Sequence, residues 1–156
     1  MKKLLSLLIV VLYMFTLCLI ASAKNNNIIS STIESYADGS YSIITITEEL
    51  CREIKASNNT KTGSISYSYY NSDDVKLWTV KLDASFSYNG TTASCIGATP
   101  SYTVYGSAWN VTKANASRSG NTATGTFTIK RYALGIQVET INKVLTLSCS
   151  PTGVLS

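Results

Sequence analysis

The sequence contains no histidine among its 156 residues. Histidine is the commonest general base, a frequent zinc ligand and the usual switch near neutral pH, so its absence removes three familiar kinds of site. The motifs Ser-x-x-Lys, Gly-x-Ser-x-Gly and Cys-x-x-Cys are missing as well. We therefore expect no metal and no cofactor, and the sequence favours a protein without catalytic activity.

Charge is also scarce, since Lys, Arg, Asp and Glu make up only 14% of the chain. The formal net charge is +4, and it falls to +2 without the first 23 residues, which hold two of the thirteen basic residues and none of the nine acidic ones. Nucleic acids and anionic membranes attract strongly basic surfaces. The composition therefore argues against both as partners.

The amino-terminal residues have the pattern of an export signal. Lys2 and Lys3 precede an apolar run from Leu4 to Ile20, and residues 21–23, Ala-Ser-Ala, supply the small-x-small pattern that a signal peptidase accepts. The alternative is a retained membrane anchor, for which the run is nearly long enough. Residues 150–156 hold neither an apolar tail nor a wall-sorting motif. We expect residues 1–23 to be cleaved and the protein to be secreted, with no membrane attachment afterwards.

The remaining 133 residues are rich in serine and threonine, which together number 38. Apolar and polar residues alternate with a period of two, most clearly from Val75 to Tyr88, and this pattern excludes an amphipathic helix. Turn signals at Asn89-Gly90, Ser119-Gly120-Asn121 and Leu134-Gly135 divide the chain into about eight strands. The sequence predicts an all-β domain over 41–156, an antiparallel two-sheet sandwich of immunoglobulin-like architecture, preceded by a weakly ordered segment over 24–40. A small β-barrel is the alternative.

Three cysteines remain after the predicted cleavage. Cys95 and Cys149 both occupy inward-facing strand positions by the alternation, whereas Cys51 lies in a charged stretch. Cysteines in exported proteins are commonly oxidised. We therefore predict a Cys95–Cys149 disulfide and leave the role of Cys51 open.

Aromatic residues are the best candidates for a binding surface. Trp78 fits the core of a sandwich, where it would pack beside the disulfide, while Trp109 fits core and surface equally well. Tyr69 and Tyr70 are adjacent, so one of them must face outward. We take Tyr69, Tyr70 and Trp109 as candidate surface contacts for an extracellular protein or a cell-wall glycan. The rival hypothesis is a glycan-cleaving enzyme that uses separated carboxylates such as Asp83 and Glu139.

Four short segments resemble a group of small exported proteins of Gram-positive bacteria. They are Trp78-Thr79-Val80, Phe86-Ser87-Tyr88-Asn89-Gly90, residues 119–125 (Ser-Gly-Asn-Thr-Ala-Thr-Gly) and the ending Cys149-Ser150-Pro151-Thr152-Gly153. The resemblance covers about residues 61–156 and leaves Cys51 outside it. That group has no assigned activity, so the resemblance implies an exported, disulfide-bonded β-domain and no catalysis.

Overall fold

A computed structural model describes residues 26–49 and 59–156 of the chain. These residues form eight strands: β1 (Asn26–Ser35), β2 (Tyr41–Glu49), β3 (Asn59–Tyr70), β4 (Lys76–Tyr88), β5 (Ala93–Val104), β6 (Trp109–Ser119), β7 (Thr122–Ala133) and β8 (Ile136–Ser148). The all-β class is thus confirmed. In the described ranges no helix is long and apolar enough to cross a membrane.

The strands form two antiparallel sheets. Five strands make the first sheet in the order β1-β2-β3-β4-β5, and three make the second in the order β6-β7-β8. The sheets do not close into a barrel, and their packing is that of the predicted sandwich. Each strand pairs only with its neighbours in the chain, whereas immunoglobulin domains have Greek-key connections. The likeness to that fold is therefore one of architecture and not of strand order.

The core lies between the sheets and follows the alternation in the sequence. On β4 the residues at every second position from Trp78 to Phe86 are buried, with at most 2% of each exposed. Phe127 and Ile129 on β7, with Leu145 and Leu147 on β8, supply the buried side chains of the second sheet. Strict alternation places every inward residue on one face, which is why the β4 pattern predicted the core correctly.

The amino-terminal segment is more regular than the sequence predicted. Residues 26–35, which we expected to be weakly ordered, form strand β1, and all ten are exposed. β1 is held by its pairing with β2 and contributes no residue to the core. A strand with no buried face needs no alternation of apolar residues, so its sequence carries little strand signal.

The predicted turns all occur, but one is longer than expected. The β4–β5 connection contains four residues, 89–92, because the Asn89 side chain accepts hydrogen bonds from the N–H groups of Thr91 and Thr92 at 3.0 and 2.8 Å. Two-residue turns at Gly120-Asn121 and Leu134-Gly135 join β6 to β7 and β7 to β8. β5 continues through Pro100 as one strand. Proline is tolerated there because β5 is at the edge of its sheet.

The predicted disulfide is not formed. Cys95 and Cys149 are both free cysteines, and they are not at disulfide distance. The Cys95 thiol contacts the carbonyl oxygen of Gly97 at 3.3 Å, and the Cys149 thiol that of Ser150 at 3.4 Å. Sharing an inward direction is necessary for a bridge but does not bring two sulfur atoms together. Burial raises the pKa of both thiols. Cys51 lies outside the described residues.

The carboxy-terminal residues close the end of the sandwich that is opposite the β3–β4 turn. Leu155 is 4% exposed and lies over Gly63, where a Cβ atom would collide with its side chain and with the Thr47 carbonyl. Ser156 exchanges two backbone hydrogen bonds with Ser148, at 2.8 and 3.0 Å. The tail therefore closes the core at this end of the sandwich.

Candidate functional site

A cleft opens at the end of the sandwich where β3 and β7 finish and β6 and β8 begin. Its volume is 450 Å³. The connections 36–40 and 71–75 of the five-stranded sheet supply one wall. Arg131, near the end of β7, and Glu139, near the beginning of β8, supply the other. The residues that line it are Asp38, Ser40, Tyr69, Asn71, Ser72, Leu77, Trp109, Arg131 and Glu139. This size falls in the range of small-molecule sites.

Two aromatic rings form the floor of the cleft. Tyr69 meets Trp109 edge to face, with ring centroids 5.8 Å apart and an interplanar angle of 63°. Below them Trp78 is fully buried and stacks on Tyr69 at 5.3 Å and on Tyr67 at 5.6 Å. The floor is therefore rigid, because its outer rings rest on a packed aromatic core.

Trp78 thus occupies the core, as the sequence predicted, but it does not pack beside the cysteines. Cys95 lies opposite Phe86 in the β4–β5 pairing, eight residues along β4 from Trp78. Eight strand residues span about 26 Å. The tryptophan and the thiols therefore lie toward opposite ends of the sandwich.

Charged side chains line the walls of the cleft. Arg131 pairs with Glu139 at 3.2 Å, and its guanidinium lies 5.8 Å from the Trp109 ring centroid. Across the cleft, the Asp38 carboxylate accepts hydrogen bonds from the Ser40 hydroxyl at 2.6 Å and the Ser40 N–H at 3.0 Å. These hydrogen bonds lower the pKa of Asp38 below its usual value. The site therefore carries two carboxylates and one guanidinium around an aromatic floor.

Hydrogen bonds behind the cleft hold the β1–β2 turn in place. The Tyr36 hydroxyl contacts the hydroxyls of Tyr67 at 2.6 Å and Ser42 at 3.1 Å, and Tyr69 donates to Ser40 at 3.0 Å. Burial raises the pKa of Tyr36. Because Ser40 also holds Asp38, the position of that carboxylate is linked to the aromatic floor.

The structure separates the three predicted surface residues into two places. Tyr69 and Trp109 both line the cleft, but Trp109 is only 8% exposed and belongs to the buried core rather than to the surface. Tyr70 faces outward, where its ring stacks on Tyr41 at 4.8 Å and lies 5.4 Å below the Lys76 ammonium group. The expectation that one of the adjacent tyrosines faces outward is met by Tyr70.

The carboxylates of the rival enzyme hypothesis do not share a site. Asp83 alternates with the buried Leu82 and Ala84, so it faces away from the core, where it pairs with Lys81 at 2.6 Å. Glu139 is on the inward face of β8 and lines the cleft. The second carboxylate of the cleft is Asp38, which sequence reasoning missed because it lies in a turn that has no motif of its own.

Comparisons with known proteins place no constraint on this site. No family model, no curated protein and no solved structure matches the chain.

Within residues 26–49 and 59–156 no group of three or more acidic or cysteine side chains could hold a metal ion. The function must therefore be argued from the cleft itself.

Proposed function

We propose that the protein is a secreted, non-enzymatic binding protein whose cleft holds a neutral saccharide. The observation that carries the proposal is the combination of Tyr69 and Trp109 on the floor with Asp38, Arg131 and Glu139 on the walls. A sugar ring has an apolar face that packs on aromatic rings and a rim of hydroxyls that pair with charged groups and amides. Export is supported by the pattern of residues 1–23.

The charge of the cleft favours a neutral ligand over an acidic one. Asp38 and Glu139 contribute two negative charges, and Arg131 contributes one positive charge. An acidic saccharide would be repelled by the net charge, whereas hydroxyl groups can donate to the carboxylates and accept from the guanidinium. The ordered Ser40 bonds fix Asp38 before any ligand arrives, which reduces the entropy lost on binding.

A glycoside hydrolase is the second candidate, because two carboxylates line one cleft. Such an enzyme needs one carboxyl group that keeps its proton near neutral pH. Asp38 is unsuited to that role, since the Ser40 hydrogen bonds lower its pKa. Glu139 is already engaged in an ion pair with Arg131 at 3.2 Å. The lowered pKa of Asp38 therefore favours binding over cleavage.

Calorimetric titration with neutral oligosaccharides tests the proposal. The probes are tetramers of N-acetylglucosamine, glucose and xylose, and the binding proposal expects at least one of them to bind. Glu139→Gln should weaken that binding about tenfold or more, because a hydrogen bond to a charged group contributes about 1.5–3 kcal/mol. Asp83→Asn is the matched control, since Asp83 is also a half-exposed, ion-paired strand carboxylate but lies outside the cleft.

The same samples decide between binding and hydrolysis. If the wild-type protein releases new reducing ends and Glu139→Gln abolishes this release, the protein is a glycoside hydrolase and the binding proposal is rejected. Absence of binding to every probe would reject the saccharide ligand. Equal losses of affinity in Glu139→Gln and Asp83→Asn would show that the ligand binds outside the cleft.

A further inference from the structure

Among the strands in residues 26–49 and 59–156, β1 has the least protected outer edge. β1 is an edge strand of the five-stranded sheet. It pairs with β2 on one side, and within the described residues no strand pairs with its other side. All ten of its residues are exposed, and Ile28 and Ile33 are each 64% exposed. An open edge of this length presents a row of backbone N–H and C=O groups to any extended chain.

The other three edge strands contain lysine, arginine or proline, which oppose such pairing, and β1 contains none of these three residue types. β5 contains Pro100, β6 contains Lys113 and Arg118, and β8 contains Lys143. β1 has the sequence NNIISSTIES, which holds no lysine, arginine or proline. Natural sheets protect their edges with charge, proline and bulges. β1 has two such features, a bulge between Ile28 and Ser30 and a single charge, Glu34, next to its end.

We propose that β1 is a dimerisation edge, at which the β1 strands of two copies pair antiparallel about a two-fold axis. The pairing joins the two five-stranded sheets into one sheet of ten strands. Backbone hydrogen bonds supply the affinity, as in other cases where an extended segment joins a sheet. We call the line of contact between the two β1 strands the seam. The exposed isoleucines of each copy gain an apolar partner across this seam.

The composition of β1 suits a second copy of itself in the antiparallel direction. Glu34 is the one charged residue of the strand and lies next to its end. Antiparallel pairing about the middle of β1 places the two Glu34 carboxylates at opposite ends of the seam, whereas parallel pairing would set them side by side. Like charges directly opposite each other destabilise a sheet. A two-fold axis is also the commonest symmetry of soluble dimers.

Isoleucine 33 provides the variant that tests this edge. Ile33 pairs with Ile43 and shares its outward face, so Ile33→Lys places a charge on the seam without entering the core. Val144→Lys is the matched control, because Val144 is also 64% exposed on an edge strand, in the other sheet. Circular dichroism and thermal unfolding serve to check that both variants keep the fold.

Sedimentation equilibrium of the purified protein, with its amino terminus established by mass spectrometry, measures the assembly. The wild-type protein and Val144→Lys should form a concentration-dependent dimer, and Ile33→Lys should dissociate at least about tenfold more readily. In hydrogen exchange, β1 amides should gain protection as the protein concentration rises. A wild-type monomer up to the millimolar range, or a dimer that Ile33→Lys leaves unchanged, would overturn the proposal.

Discussion

At the scale of single residues, Ser40 connects the charge of the cleft to its aromatic floor. It donates two hydrogen bonds to Asp38 and accepts one from Tyr69, and only 5% of its surface is exposed. A carboxylate that accepts hydrogen bonds is stabilised in its charged form. Asp38 therefore stays ionised to lower pH than an ordinary aspartate. Its contribution to stability is present above the pKa of the unfolded chain and is lost as the pH falls through the lower, folded-state pKa.

We predict that Ser40→Ala raises the pKa of Asp38 toward the usual aspartate value. The hydroxyl bond is lost, while the backbone N–H bond remains, so the shift should be partial. Carboxyl carbon chemical shifts followed by NMR during an acid titration measure it. Ser72→Ala, another cleft-lining serine, serves as the control and should leave the titration unchanged. An unaltered Asp38 midpoint in Ser40→Ala would show that the hydroxyl does not hold the carboxylate.

At the scale of elements, the β7–β8 hairpin breaks a local rule. Leu134 begins its two-residue turn with φ = 50°, and its side chain is fully exposed. The left-handed region costs an L-residue roughly 1–2 kcal/mol, and asparagine tolerates it better than leucine does. No contact of the Leu134 side chain in the described structure offsets this cost.

We predict that Leu134→Asn stabilises the protein by about 0.5–1 kcal/mol, because Asn-Gly is the preferred sequence for a turn with two residues at positive φ. Leu134→Val should destabilise it, since a β-branched residue fits that conformation worst. The midpoints of urea unfolding compare the two variants. A lower midpoint for Leu134→Asn would indicate that the leucine has a stabilising contact.

The contrast between β4 and β1 explains how much of the fold could be predicted. β4 is buried on one face along its length, so burial imposes alternation and the alternation predicts the strand. β1 has no buried face, and the same rule could not detect it. The cleft follows the same logic. Tyr69 and Trp109 were identified by residue type. Asp38 and Arg131 became site residues only because a turn of one sheet and a strand end of the other, distant in sequence, meet at one end of the sandwich.

At the scale of the whole molecule, the carboxy-terminal tail couples the two sheets. Leu155 pairs with Cys149 in a backbone bridge next to β8 and lies over Gly63 of β3 in the other sheet. Gly153 has φ = 84°, and the Tyr88 ring covers it so closely that a Cβ atom would collide. One short segment therefore contacts both layers of the sandwich.

We predict that Leu155→Ala lowers the free energy of unfolding by about 2–4 kcal/mol, the usual cost of removing a buried leucine side chain. Val154→Ala should change it by less than about 0.5 kcal/mol, because Val154 is 61% exposed. Denaturant unfolding, monitored by tryptophan fluorescence, gives both values. Similar losses for the two variants would mean that the tail acts through its backbone alone.

The strand order has a consequence for how the chain reaches this structure. Because every strand in each sheet pairs with the next one along the chain, each hairpin can form as soon as its second strand is available. Such local topology shortens the loops that must close and speeds folding relative to Greek-key sandwiches of similar size. Leu155 fills its place in the core only after all eight strands have been made. A chain emerging amino terminus first would therefore assemble hairpin by hairpin and reach its full stability only at the last step.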